Sequence, residues 1–228
     1  MPVYATHRSE SEDAIKDRIL DTLDVDPTRL KLLHLELTSE PSISAAADKL
    51  SHLLQPNSYL HTGFFTGGIL YPEKQPSDLD VSKITKVFQI NVISHLLLIK
   101  HFSRFLPTAQ KPDLATPAKW VHVSARVGSI SENARGGWYS YRSSKAALNQ
   151  VVKTFDLQLQ MNKSQAVCVG VHPGTVKTDL SKGYWNSAAK GEIFEPEDAA
   201  SKLVDVVNAL ETEQRGKVWD WAGKEIPW

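Results

Sequence analysis

The amino-acid sequence predicts an α/β fold built on a mostly parallel sheet with helices on both faces. Three observations predict it. Short apolar, β-branched runs alternate with longer helical patterns. Several of these runs lack polar alternation, as expected of strands covered on both sides. The 228 residues, 41 % apolar and 23 % charged, suit one soluble domain with a sizeable core, so a single domain is expected over 1–228.

Taken in order, the strand candidates are 3–6, 30–37, 58–65, 120–124, 166–171 and 217–221. Helical patterns lie between them at about 10–22, 41–54, 80–106, 141–161 and 196–211. Pro196 suits a first helical position, with Glu197 and Asp198 at the positive end of the helix dipole. The turn-rich stretch 107–119 reads as a loop. In the 80–106 helix, Ile84, Phe88, Leu98 and Phe102 share a stripe, and Asn91 falls in its middle. A buried amide must find partners, so Asn91 is either a structural clamp to a loop or part of a site. Leu96, Leu97 and Ile99 leave the same helix apolar on other sides, where a second layer or a partner subunit would cover it.

The formal net charge of zero gives no reason to expect nucleic acid or an anionic membrane as partner. Cys168, the only cysteine, lies in an apolar run and reads as a small core residue. No apolar run approaches the ~18–20 residues needed to span a bilayer. The first residues lack the layout of a signal peptide, and the cytoplasm is the expected compartment. No metal site is read from the sequence.

Tyr141 and Lys145 are four apart at the start of a strongly helical run, so both project from one face. A free phenol titrates near ~10, and an ammonium beside it favours the phenolate. Leu148, Val151 or Val152, Phe155 and Leu159 supply the stripe that buries this helix. The plain alternative is a surface Tyr and Lys on an amphipathic helix. Ligand sites in parallel sheets lie beyond the carboxyl ends of the strands. The segments found there are Thr66-Gly67-Gly68, Ser124-Ala125-Arg126-Val127-Gly128-Ser129-Ile130 and His172-Pro173-Gly174-Thr175-Val176-Lys177-Thr178-Asp179.

With these pieces in this order, the chain resembles the short-chain dehydrogenase/reductase family, most closely its C-factor-like and sniffer-like carbonyl reductase branch. Asn91-Val92, the 124–130 run, Tyr141 to Lys145, the 173–178 run and the ending 219–228 carry the likeness. The resemblance implies a Rossmann-like doubly wound sheet and a nicotinamide cofactor. It gives Tyr141 the proton transfer to or from a carbonyl oxygen. Lys145 would lower the pKa of Tyr141 and hold the ribose, and Asn91 would anchor a water linked to Lys145. Thr66, Gly67 and Gly68 would line the cofactor, and Pro173, Gly174 and Thr178 would receive its carboxamide. Glu36 would lie near the adenine. Arg8, with His7 beside it, would pair with a 2′-phosphate, which favours NADP over NAD. A homodimer through the helices at 80–106 and 141–161 is also implied. Substrate choice in the family depends mainly on the loop here at 179–194, where Tyr184 and Trp185 either line an apolar pocket or pack the loop down.

Two departures stand out. The family's active-site Ser position is Ala125, so Ser124 or Ser129 would have to replace it. The family's opening strand, glycine-rich turn and helix, which cradle a pyrophosphate, have no counterpart in the first residues. Met1 to Arg8 resemble its second strand instead, so the chain is expected to begin one βα unit late, through a misplaced start or a truncated form. Omitting that strand would leave a gap of roughly 10 Å, because neighbouring strands sit ~4.8 Å apart. Three functions follow: an NADP(H)-dependent oxidoreductase acting on a small carbonyl or alcohol, a catalytically weak binding or regulatory protein, or a non-redox lyase or isomerase.

Overall fold

A computed structural model describes residues 1–8, 11–109, 114–187 and 193–228. The expected loops at 107–119 and 179–194, and the start of the helix expected at 10–22, lie partly outside them. Among the described residues nine strands and six α-helices alternate. They run β1 (Val3–His7), α1 (Glu12–Leu20), β2 (Leu30–His34), α2 (Glu40–Leu53), β3 (Thr62–Phe65), α3 (Val81–Phe88), α4 (Ser94–Phe102) and β4 (Ala118–Val123). Then come α5 (Tyr139–Met161), β5 (Ala166–His172), β6 (Thr175–Val176), β7 (Ile193–Phe194), α6 (Pro196–Ala209), β8 (Val218–Asp220) and β9 (Glu225–Ile226).

Local chemistry explains the helix starts. The Ser11, Ser39 and Asp80 side chains cap α1, α2 and α3 by accepting from Ala14, Ser42 and Lys83 N–H groups. Pro196 opens α6 with two acidic residues behind it, as expected. Strand β5 is sealed: Ala166, Val167, Cys168, Val169 and Val171 are fully buried. This fits a strand between two neighbours with helices on both faces.

The sheet is divided. Strands β3, β4, β5 and β8 run parallel, with β9 antiparallel at the far edge. Strands β1 and β2 form a separate parallel pair, and β6–β7 a third, two residues long. Among the described residues β1 and β3 share no ladder, so the strands flanking the expected gap keep open edges instead of pairing. Val3 is 50 % and Phe64 39 % exposed, unlike any residue of β5. One core nonetheless runs beneath both parts. Leu33 of β2, Ile43 and Leu50 of α2, Leu98 and Phe102 of α4, Trp120 of β4 and Phe155 of α5 pack together, with Tyr4 and Phe65 against them. Each such buried side chain contributes about 1.5–3 kcal/mol relative to exposure.

The single helix expected at 80–106 is two helices joined by a π-helical turn, Gln89–Ile93. The extra residue shifts the buried face, so Val87, Ile90, Asn91, Ser94, His95, Leu98 and Phe102 point inward while Ile84 and Phe88 are half-buried. Such turns occur often at functional sites. The strands expected at 58–65 and 30–37 are shorter at Thr62–Phe65 and Leu30–His34, and the short strands β6, β7 and β9 carry too little pattern to be read from sequence. No helix among the described residues is long and apolar enough to cross a membrane.

Candidate active site

Helix α5 lacks a side-chain cap of its own; Trp138 precedes it in a left-handed conformation. A distant loop supplies the missing acceptors. The Glu73 side chain, 2 % exposed, accepts from the Ser140 N–H at 3.2 Å and from the Ser140 hydroxyl, and its carbonyl accepts from Trp138 N–H at 2.6 Å. A carboxylate at this helix end also complements the dipole. The C-terminal half is pinned by Asp156, which accepts from Cys168 N–H and from Arg215 Nε. Between these anchors Leu148, Val152, Phe155 and Leu159 are buried, and Val152 rather than Val151 faces the core.

This frame brings Tyr141 and Lys145 to the carboxyl ends of β4 and β5, both buried. The Lys145 ammonium donates to the Val123 carbonyl at 2.9 Å and lies 5.8 Å from the centroid of the Tyr141 ring. Burial pushes the phenol up to about 12 and the ammonium down to about 8. The expected lowering of Tyr141 by Lys145 is therefore corrected: the ammonium is directed at a backbone carbonyl, and desolvation dominates both groups. At neutral pH the phenol is a filled proton donor. Gly68 packs closely on the pair, since a Cβ there would lie 3.4 Å from Lys145 Nζ and 3.7 Å from Asn91 Oδ1.

Asn91 sits in the π-helical turn, fully buried. Its Oδ1 accepts from Ile69 N–H at 2.8 Å, and its Nδ2 donates to the Ile69 carbonyl and to Ser144 Oγ. These contacts make Asn91 the clamp between the loop after β3 and α5. Beneath it runs a second polar chain. Trp120 Nε1 donates to His122 Nε2 at 2.8 Å, which assigns the His122 proton to Nδ1. That proton goes to His95 Nδ1 at 2.7 Å, and His95 Nε2–H is left for the Gly67 carbonyl at 3.0 Å. Burial holds His95 neutral, down to about 4, and His122 well below its ordinary value.

The serine question resolves unevenly. Ser124 Oγ donates to Asn149 Oδ1 at 2.6 Å, between the end of β4 and α5, so that its hydrogen is already engaged. Ser129 is buried and its Oγ accepts from Glu132 N–H at 3.2 Å. Neighbouring Arg126 is held by Glu132 and Asp220.

The implied nicotinamide nucleotide can be tested against these residues. The hydroxyl of Tyr141 and the ammonium of Lys145 suit the hydroxyls of a ribose, and Pro173, Gly174 and exposed Thr178 follow β5 at the same sheet edge. Exposed Arg8 follows β1 and lies close enough to Glu36 to help hold its carboxyl below the usual range, after the dominant hydrogen bonds from Thr38. The two ends thus fit. Between them no glycine-rich strand-to-helix turn exists among the described residues, and residues 1–62 contain no glycine.

Sequence reasoning missed Glu73, Ser144, His95 and His122. Nothing in a lone loop glutamate reveals a partner 67 residues away. The histidines did carry a signal: His95 lies one turn beyond Asn91, and His122 lies in an apolar strand.

Comparison with known proteins bears on the family and the fold. The family model for the short chain dehydrogenases matches residues 3–188. A 1-hydroxy-2-glutathionyl-2-methyl-3-butene dehydrogenase of Rhodococcus sp. (strain AD45) is 32 % identical over 194 residues, covering 85 % of this chain and 78 % of that protein. The carbonyl reductase Sniffer of D. melanogaster superposes with a TM-score of 0.85 at 22 % identity, over 100 % of this chain and 88 % of its own. An NADPH-bound carbonyl reductase from chicken fatty liver gives 0.81 at 25 % identity, with the same coverage.

The cap on α5 makes a prediction. Glu73→Ala should lower unfolding stability by about 1–3 kcal/mol, because it strands the buried donors of Ser140. Glu73→Gln, which keeps an acceptor, should recover part of the loss in urea denaturation. An alanine variant within about 0.5 kcal/mol of wild type would contradict the role.

Proposed function

The chain belongs to the short chain dehydrogenase family, and from that premise we propose that it is an NADP(H)-dependent oxidoreductase interconverting a carbonyl and an alcohol on a small organic substrate. The observation that carries this reading is the buried Tyr141–Lys145 pair at the strand ends, with the Lys145 ammonium on the Val123 carbonyl.

In this reading a bound nicotinamide supplies or accepts the hydride at the carbonyl carbon. Tyr141 donates its proton to the carbonyl oxygen during reduction, or takes the alcohol proton in reverse. Its filled phenol suits the first direction. Lys145 offsets part of the negative charge left on the phenolate, less than the burial that raises the phenol. Asn91 and Ser144 hold the loop after β3 against α5, so that Gly68 keeps its distance from the ammonium. Pro173, Gly174 and Thr178 would meet the carboxamide, and Glu36 the adenine side. Arg8 would pair with a 2′-phosphate through its planar fork, which favours NADP over NAD.

A second reading, a weakly active or inactive binding protein on the same scaffold, is favoured by one observation. Ala125 offers no hydroxyl and Ser124 gives its hydrogen to Asn149, so a hydrogen bond to the carbonyl, worth a few kcal/mol in the transition state, falls to Ser129 or is lost. Carbonyl-dependent oxidation of NADPH separates the two. The first reading expects turnover that falls at least about 100-fold in Tyr141→Phe. A folded protein with no turnover, or a Tyr141→Phe variant with unchanged rate, would sink it.

Self-association through α4 and α5 belongs to the same proposal. Leu96 is 48 % exposed and, with Ile99, Val151 and Thr154, lines a shallow groove between the two helices that a second copy would cover. Sedimentation velocity should give a dimer for wild type and a monomer for Leu96→Glu, whereas a monomeric wild type would rule the interface out.

A further inference from the structure

Two buried imidazoles lie beneath the site and take no part in the proton transfer. His95 and His122 are both fully buried, with their Nδ1 atoms 2.7 Å apart. One proton fits between them. The Trp120 indole N–H occupies His122 Nε2, so that proton belongs to His122 and the His95 proton lies on Nε2. Its acceptor is the Gly67 carbonyl at 3.0 Å. Three linked polar side chains are thus taken out of water, each at a cost, and the chain they form ends on a single backbone carbonyl just beyond β3.

The consequence falls on the next residue. A trans peptide is planar, with its carbonyl and N–H on opposite sides. With the Gly67 carbonyl drawn toward His95, the Gly68 N–H is turned away from it. One residue on, Asn91 holds both the N–H and the carbonyl of Ile69. Gly68 therefore hangs between two anchors, Asn91 and His95, that lie one helical turn apart. It makes no hydrogen bond of its own among the described residues, and a Cβ on it would lie 3.4 Å from Lys145 Nζ. A half-buried backbone donor beside an ammonium calls for an oxygen acceptor. Asn91 cannot set that donor alone, because its contacts stop at Ile69 and two successive glycines leave the peptide between them free to turn. We propose that His95 is a positioning residue for the nucleotide site: Trp120 and His122 fix its proton, and it fixes the Gly67–Gly68 peptide so that the Gly68 N–H is presented to a bound oxygen acceptor. That the acceptor belongs to a nicotinamide nucleotide rests on the oxidoreductase reading above.

Two variants separate hydrogen bonding from packing. A glutamine carboxamide reproduces the acceptor and the donor of the imidazole, whereas leucine only fills the space. The Kd for NADPH, followed by its nicotinamide emission, should rise at least about tenfold in His95→Leu and stay within about threefold of wild type in His95→Gln. Equal Kd values in all three proteins, equal weakening in both variants, or a wild type that binds no NADPH would overturn the assignment. A second readout needs neither ligand nor variant. Long-range proton–nitrogen NMR spectra of the histidines at neutral pH should show His95 protonated at Nε2 alone and His122 at Nδ1 alone. A His95 proton on Nδ1 would overturn the assignment whether or not the variants fold. NADPH binding that depends on the His95 hydrogen bond, in a protein that reduces no carbonyl, would defeat the oxidoreductase reading and leave His95 its role. Carbonyl turnover with an unchanged NADPH Kd in His95→Leu would do the reverse.

Discussion

One buried ammonium governs the arrangement. Lys145 is 3 % exposed and reaches the Val123 carbonyl at the end of β4. Removing an ammonium from water costs several kcal/mol even after relaxation, so its surroundings must compensate. Oriented backbone dipoles at the strand ends and the electron-rich face of Tyr141 provide that compensation. The neighbouring histidines fit the same constraint. Held neutral by burial and by the Lys145 charge, His95 and His122 add no second positive charge, and they spend their protons on each other and on Gly67.

The rest of the local structure keeps that ammonium in register with the phenol one turn before it. Glu73 sets where α5 begins, Asp156 sets how its far end meets β5, and the core stripe fixes its rotation. The π-helical turn matters because it rotates Asn91 inward at the one place where a side chain can clamp both the loop after β3 and Ser144. An uninterrupted helix with the stripe read from Ile84 and Phe88 would present a different face.

Much of this was legible in the residues. The alternation of apolar runs and helical patterns reads directly as α/β, and Tyr141, Lys145 and Asn91 stand out by type and spacing. What sequence could not supply is contact at a distance. Glu73 caps a helix from a loop, and the π-helical turn inserts one residue into a periodic pattern without a distinctive residue to mark it. The burial that raises Tyr141 likewise depends on the assembled fold, so a local argument from a neighbouring ammonium gave the wrong direction. The missing strand-turn-helix unit read from the first residues did foreshadow one feature, since β1 and β3 share no ladder among the described residues.

The central claim is that Lys145 is a desolvated ammonium held at the strand ends, and its titration tests this most directly. Carbon-13 NMR of protein labelled at lysine Cε, assigned with Lys145→Met, follows that group alone. The account predicts a midpoint at about 8, set apart from the other lysines. A Lys145 signal that titrates with the exposed lysines near the ordinary value of 10.5 would contradict it.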